Sequence, residues 1–201
     1  MTVKRSKRSK AKARATKPRG MKRAAAPKRP VDGPRREAVQ LFLDLSVKVF
    51  EPPLSDLRET GRLRDLWSPL SVLMLVVDFE TEVEMNGVVD FLGNSTGRYA
   101  KETVAALECI GCSDDAAALR QIVSIATRAR MTHATIQKDR ERLGPFTVTT
   151  FAEVHGTKWQ RALGRIEPLS DQLDFGRIRQ RAEVFVAKHL GVVKEALGLQ
   201  A

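Results

Sequence analysis

The first 36 residues carry fifteen lysines and arginines and a single acid, Asp32, a net of +14, whereas residues 37–201 carry twenty bases and 23 acids, a net of −3. From Lys4 to Arg36 a base stands at nearly every second position among Ala, Ser, Gly and Pro, and almost nothing apolar is larger than alanine. Such a segment cannot bury enough surface to offset the entropy of ordering its own backbone. Residues 1–35 therefore read as a disordered tail until they meet a partner, and the fold has to come from residues 36–201. About 165 residues are enough for one independently stable domain and leave little room for a second. The formal charge of +11 for the whole chain describes neither part.

The tail's bases, Lys4, Arg5, Lys7, Arg8, Lys10, Lys12, Arg14, Lys17, Arg19, Lys22, Arg23, Lys28 and Arg29, are spaced and have no aromatic among them. That pattern suits a line of phosphates, where each neutralised phosphate releases counterions and no base is read. Stacking on bases is not open to it. The functional expectation is a sequence-indifferent arm for DNA or RNA. A solvated solubility tail and an upstream extension ahead of Met21 are the competing readings. A transit peptide would need an amphipathic apolar face, which the tail lacks.

The longest apolar run, Leu70 to Val77 with Ser71 inside it, falls far short of the ~18–20 residues that a membrane-spanning helix needs. The N-terminus has no apolar signal stretch, and two cysteines do not make a disulfide scaffold. The expectation is a soluble protein of the bacterial cytoplasm or nucleoid, with no membrane partner.

Past Pro34 the apolar residues take a helical period. Ala38, Val39, Leu41, Phe42, Leu45 and Val49 make one stripe, ended by Pro52-Pro53. Leu54, Leu57, Leu63 and Leu66 suggest a short element broken at Gly61. Ser68-Pro69 reads as an N-cap with proline at the first helical position, opening a central core helix. Residues 78–84, DFETEVE, alternate as a half-buried strand would, but they follow Val77 without a breaker and read as helix. Asp78 then stacks over Glu82 and Glu80 over Glu84, and each like-charged pair costs a few tenths of a kcal/mol unless a cation or packing compensates. Ser95 or Thr96 is expected to cap a helix that stops at Gly111, and Ser113 to cap the next one. Residues 131–158 read as a short helix to Leu143 followed by an extended GPFTVTTF. A final helix opens at Leu173-Asp174-Phe175, with Ile178, Ala182, Phe185, His189, Val192 and Val193 on one face. The fold class is all-α, a single compact domain of about six to eight helices behind the basic tail.

Catalytic constellations are scarce. Cys109-Ile110-Gly111-Cys112 has the spacing of a metal or redox pair. A zinc site needs two more ligands, however, and His133, His155 and His189 show no paired spacing; a redox pair should open a helix, and this one closes it. Gly93-Asn94-Ser95-Thr96-Gly97-Arg98 lacks the lysine and the preceding strand of a phosphate loop and reads as a turn with a cap. No catalytic residue, metal ligand set or cofactor is expected, so the protein reads as a non-enzyme; the alternative of an uncharacterised enzyme rests only on the cysteines and carboxylates. Asp78, Glu80, Glu82, Glu84 and Asp90 are the candidate acidic face for a basic partner, or for this chain's own tail, with a plain solvated face as the alternative.

The stretch from Glu82 to Ile125 resembles the family of small helical proteins that includes DNA mimics of the DMP type. The features that carry the resemblance are Glu82-Val83, the turn at Gly87, Phe91 three residues before Asn94, the Asn94-Ser95-x-Gly97 loop, the helix with Glu102 and Ala105 to Leu107, and Ile110-Gly111. Leu173-Asp174-Phe175 and the terminal helix are similar to the family's C-terminal end. Where the family shows a Gly-Gly-aromatic run and a following amide, this chain has Asn86-Gly87-Val88 and Asp90. The resemblance implies an all-helical fold, no catalysis, a homodimer, and an acidic surface that imitates DNA to engage a DNA-binding protein. A DNA mimic must approach duplex charge density, about one charge per 1.7 Å. Residues 37–100 hold eleven acids and five bases, and residues 101–201 hold twelve and fifteen, so only the first half is acidic. The leading expectation is a non-enzymatic interaction protein, a helical domain of this type carrying a basic nucleic-acid-binding arm; the alternative is a DNA-mimic regulator whose acidic face binds a DNA-binding protein.

Overall fold

The computed structural model of the chain describes residues 33–143 and 154–199. The basic arm over residues 1–32 and the run GPFTVTTF, 144–151, lie outside the described residues. Among the described residues there are ten α-helices, two 3-10 turns and no strand, and no helix is long and apolar enough to cross a membrane.

Helix α1 (Gly33–Lys48) buries the predicted stripe of Ala38, Leu41, Phe42 and Leu45. It starts two residues ahead of the expected end of the tail, because Pro34 in its first turn needs no hydrogen-bond acceptor. Helix α2 (Leu54–Glu59) and a 3-10 turn over Arg62–Arg64 flank Gly61, whose φ of 76° is left-handed. Helix α3 (Pro69–Asn86) begins as the sequence predicts: the Ser68 hydroxyl accepts from the Ser71 N–H at 3.4 Å, with Pro69 at the first position. Every residue from Ser71 to Glu80 is buried, which happens to a helix only when neighbours surround it. Those neighbours include α4 (Val88–Gly93), α5 (Ala100–Cys109), α9 (Phe175–Lys188) and α10 (Leu190–Ala196). Helix α1 lies on α9 and α10, while α6 (Ser113–Ala129) packs between α5 and α8 (Thr157–Ser170), and α7 (His133–Leu143) lies on α4.

Three expected local features differ. Ser95 and Thr96 cap nothing; they belong to a second 3-10 turn, Ser95–Tyr99, and α5 starts directly behind it at Ala100. Ser113 is already inside α6, since Cys112 serves both as the end of the turn around Gly111 and as the N-cap. The terminal helix is two helices that meet at His189, whose ring lies 4.5 Å from that of Phe185. This break turns the inward face from Val192, which is exposed, to Val193, which is buried.

Three helices end in one motif, with a hydrogen bond spanning six residues and a left-handed residue inside it. The bonds are Cys112 N–H to the Leu107 carbonyl (2.8 Å), Leu199 N–H to that of Lys194 (2.9 Å) and Met131 N–H to that of Ala126 (2.8 Å). The left-handed residues are Gly111 (φ 84°), Gly198 (φ 71°) and Arg130 (φ 62°). For a residue with a Cβ this conformation costs roughly 1–2 kcal/mol, so α6 ends under strain that α5 and α10 avoid.

Candidate functional site

The acids of α3 recur every second residue, and each step of two turns a helix by about 200°. Asp78 and Glu82 therefore lie on one side of α3, and Glu80 and Glu84 on the other. Asp78 is 2% exposed and receives a bidentate guanidinium from Arg58, Nε to Oδ2 at 2.7 Å and Nη2 to Oδ1 at 2.5 Å. Arg58 Nη1 also donates to the Val49 carbonyl at 2.5 Å, and the Arg58 carbonyl accepts from the Tyr99 hydroxyl and from Arg98. One arginine so joins the end of α1 to α2, α3 and the second 3-10 turn. Glu82 accepts from the Asn94 amide. On the opposite side, buried Glu80 forms an ion pair with Arg179 of α9, and Glu84, half-exposed, lies 3.6 Å from the same guanidinium. Burial pushes the Asp78 carboxyl up, opposed by its bonds to Arg58; burial likewise pushes Glu80 up, opposed by the Arg179 charge.

The expectation of a single open acidic face over Asp78, Glu80, Glu82, Glu84 and Asp90 is therefore corrected. Asp78 and Glu80 are internal, on opposite sides of a core helix, and their charges are committed to arginines that are distant in sequence. Glu82 and Asp90 are partly buried, and Glu84 is exposed. Exposed acids also lie on α8 and at its C-cap. Glu167 and Asp171, together with Val89 of α4, Leu163, Ile166 and Ser170, line a groove of about 330 Å³, and Asp90 follows Val89 in α4.

The five motif residues have structural work. Gly87 joins α3 to α4 with φ 84°. Phe91 meets Phe79 edge-on, with ring centres 5.0 Å apart. Asn94 donates to Glu82, and Ser95 opens the 3-10 turn. At Gly97 a Cβ would collide with the carbonyls of Phe91 and Leu92, so only glycine lets the loop close on α4. The Gly93 carbonyl then accepts from Gln137 Nε2 at 2.7 Å and pairs with His133 Nδ1 at 3.0 Å, docking α7.

The buried role of a further carboxylate escaped the sequence reading. Asp115, fully buried, accepts from the Asp174 N–H and from Arg177 Nε and Nη2, each at 2.9 Å. It ties the start of α6 to the start of α9 across about sixty residues of chain, and no local pattern announces such a pair. Cys109 is exposed and Cys112 buried, both as free thiols. Burial, followed by the Asp115 charge, pushes the Cys112 thiol up to about 11, away from the thiolate that a nucleophile or metal ligand requires. Among the described residues no three His, Cys, Asp or Glu side chains gather as a metal site.

A core helix whose acids are neutralised from α2 and α9, followed by a glycine-dependent turn and loop, defines a small all-α domain of the kind the Glu82–Ile125 motifs imply. The chain matches the family model described as DMP19-like protein over residues 64–189, which is α3 to α9 with their flanking turns, and it belongs to that family. No curated protein and no solved structure matches it.

Proposed function

We propose that the protein is a non-enzymatic interaction protein of the DNA-mimic type, which engages a DNA-binding protein through exposed acidic side chains, among them Glu84 at the end of α3 and the acids of the α4–α8 groove. The observation that carries the reading is membership of the DMP19-like family across the segment that builds α3 to α9. Glu167 on α8 and Asp171 at its C-cap, both exposed in the α4–α8 groove, supply negative charge there, and Glu84 is exposed at the end of α3. Assembly as a homodimer is part of this reading, and light scattering checks it.

A mimic and duplex DNA compete for one surface of the partner. Capture of a basic DNA-binding protein should be displaced by duplex DNA and lost in the variant Glu84→Lys, Glu167→Lys, Asp171→Lys, with the helical circular dichroism unchanged. Capture that survives both excess duplex and charge reversal overturns the reading. Glu80 is unsuited to this experiment, because a lysine there enters the core.

The +14 segment favours a second role: the tail holds the domain near nucleic acid. Full chain and a chain beginning at Val31 are compared against salt. The arm predicts a log–log slope of about −0.7 to −0.9 per phosphate contacted for the full chain only, and equal binding by both removes it.

A further inference from the structure

Away from the α4–α8 groove, one cavity gathers chemistry that the partner surface does not use. It has a volume of about 490 Å³, within the range of small-ligand sites, and Arg130, Lys138, Asp139, His155, Lys158 and Trp159 line it. Asp139, 8% exposed, lies 2.6 Å from His155 Nε2 through Oδ2. The imidazole lies flat on the Trp159 indole, with ring centres 3.8 Å apart and planes at 15°. Trp159 is buried, and its Nε1–H donates to the Ala129 carbonyl at 3.0 Å. Ala129 is the last residue of α6, so one indole fixes both the His155–Asp139 pair and the turn that carries Arg130.

Among the described residues no ion pair engages Arg130, Lys138 or Lys158. The cavity's one carboxylate is taken up by His155. The lining therefore carries +2 with a neutral imidazole and +3 with a protonated one. A phosphomonoester brings about −1.5 to −2 at neutral pH and three strong acceptor oxygens, which matches that charge and the donors of one guanidinium and two ammonium groups. Arg130 adds an independent observation. Its φ of 62° stands where the equivalent turns use Gly111 and Gly198, so the α6 turn keeps a guanidinium at the cavity against the conformational preference of its backbone.

We propose that this cavity binds the dianionic phosphate of a small phosphomonoester, with Arg130, Lys138 and Lys158 as the phosphate-binding residues and the His155–Asp139 pair, seated on Trp159, as its rigid polar wall. The site is independent of the partner surface proposed above.

The chain's two tryptophans make the test local: Trp159 lies in the site, while Trp67 is 97% exposed elsewhere. In the isotope-labelled full chain, with the indole signals assigned by Trp67→Phe, titration with AMP, ribose 5-phosphate and inorganic phosphate should move the Trp159 indole N–H saturably and leave that of Trp67 in place. Phosphate held only by the tail moves neither. Adenosine should have no effect, and a cyclic phosphodiester nucleotide, with a single charge, should bind more weakly than AMP. Lys138→Ala with Lys158→Ala should weaken AMP about tenfold or more. Arg130→Gly should weaken AMP while raising the thermal midpoint, a combination that a purely structural arginine cannot give. A still Trp159 signal, unchanged AMP affinity in both variants, adenosine binding as tightly as AMP, or duplex DNA displacing AMP at lower concentration than AMP itself binds would each overturn the proposal.

Discussion

Helix α3 and the α6–α8 cavity are both dense in charge, and they handle it in opposite ways. In α3 each of Asp78, Glu80, Glu82 and Glu84 meets a guanidinium or an amide, because the helix runs through the core and a buried charge without a partner is too costly to keep. Around the cavity three cations stand at the surface, with no ion pair to them among the described residues and the one carboxylate, Asp139, taken up by His155, and water can solvate them until a ligand arrives. Acidic residues that look like a binding face in the sequence are thus largely structural, whereas basic residues scattered over Arg130 to Lys158 converge on an open site.

The sharpest way to break this contrast is to remove one arginine. Arg58→Ala leaves the Asp78 carboxylate buried and unpaired, and urea denaturation should show a loss of about 3–5 kcal/mol. Lys138→Ala or Lys158→Ala should each change stability by less than about 0.5 kcal/mol. Equal effects in the two regions would refute the distinction. Gly97→Ala comes next, since its methyl group meets two backbone carbonyls that hold α4; a loss of about 1–3 kcal/mol is expected, read from the same denaturation curves.

Arg130→Gly should go the other way, a gain of about 0.5–1 kcal/mol, the relief of left-handed strain less the greater unfolded freedom of glycine. The smallest effect concerns pH. Burial holds the Glu80 carboxyl above its ordinary value of 4.5, so across that window the folded chain binds more protons than the unfolded one, and stability declines as pH rises through it. Glu80→Gln should flatten this part of the decline in denaturation midpoints taken as pH rises from 4.5; parallel slopes for the two proteins would show that Arg179 cancels the burial.

Much of the helical frame was legible in local pattern. The stripe of Ala38 to Leu45, the Ser68-Pro69 start, the helical reading of DFETEVE and the stop at Gly111 all follow from short-range sterics and capping, which the neighbouring residues carry in themselves. The site was legible only in part. The Gly87, Phe91, Asn94 and Gly97 motif was legible as a turn and a loop, but its close approach to α4 and its bond to Glu82 depend on what packs there. Arg58 with Asp78, Asp115 with Arg177 and Asp139 with His155 are separated by many turns of chain, and residue type alone does not say which charge will find which. His155, isolated in the sequence, acquires its partner only when α7 and α8 fold together.

By itself, then, the sequence determined an all-α domain behind a +14 segment and the motifs of a DMP19-like protein, because helical period, breakers and composition act over a few residues. Tertiary structure alone decided which acids are buried, which cations stay open, and that an arginine ends α6, because burial and pairing are properties of the space between helices rather than of any one of them.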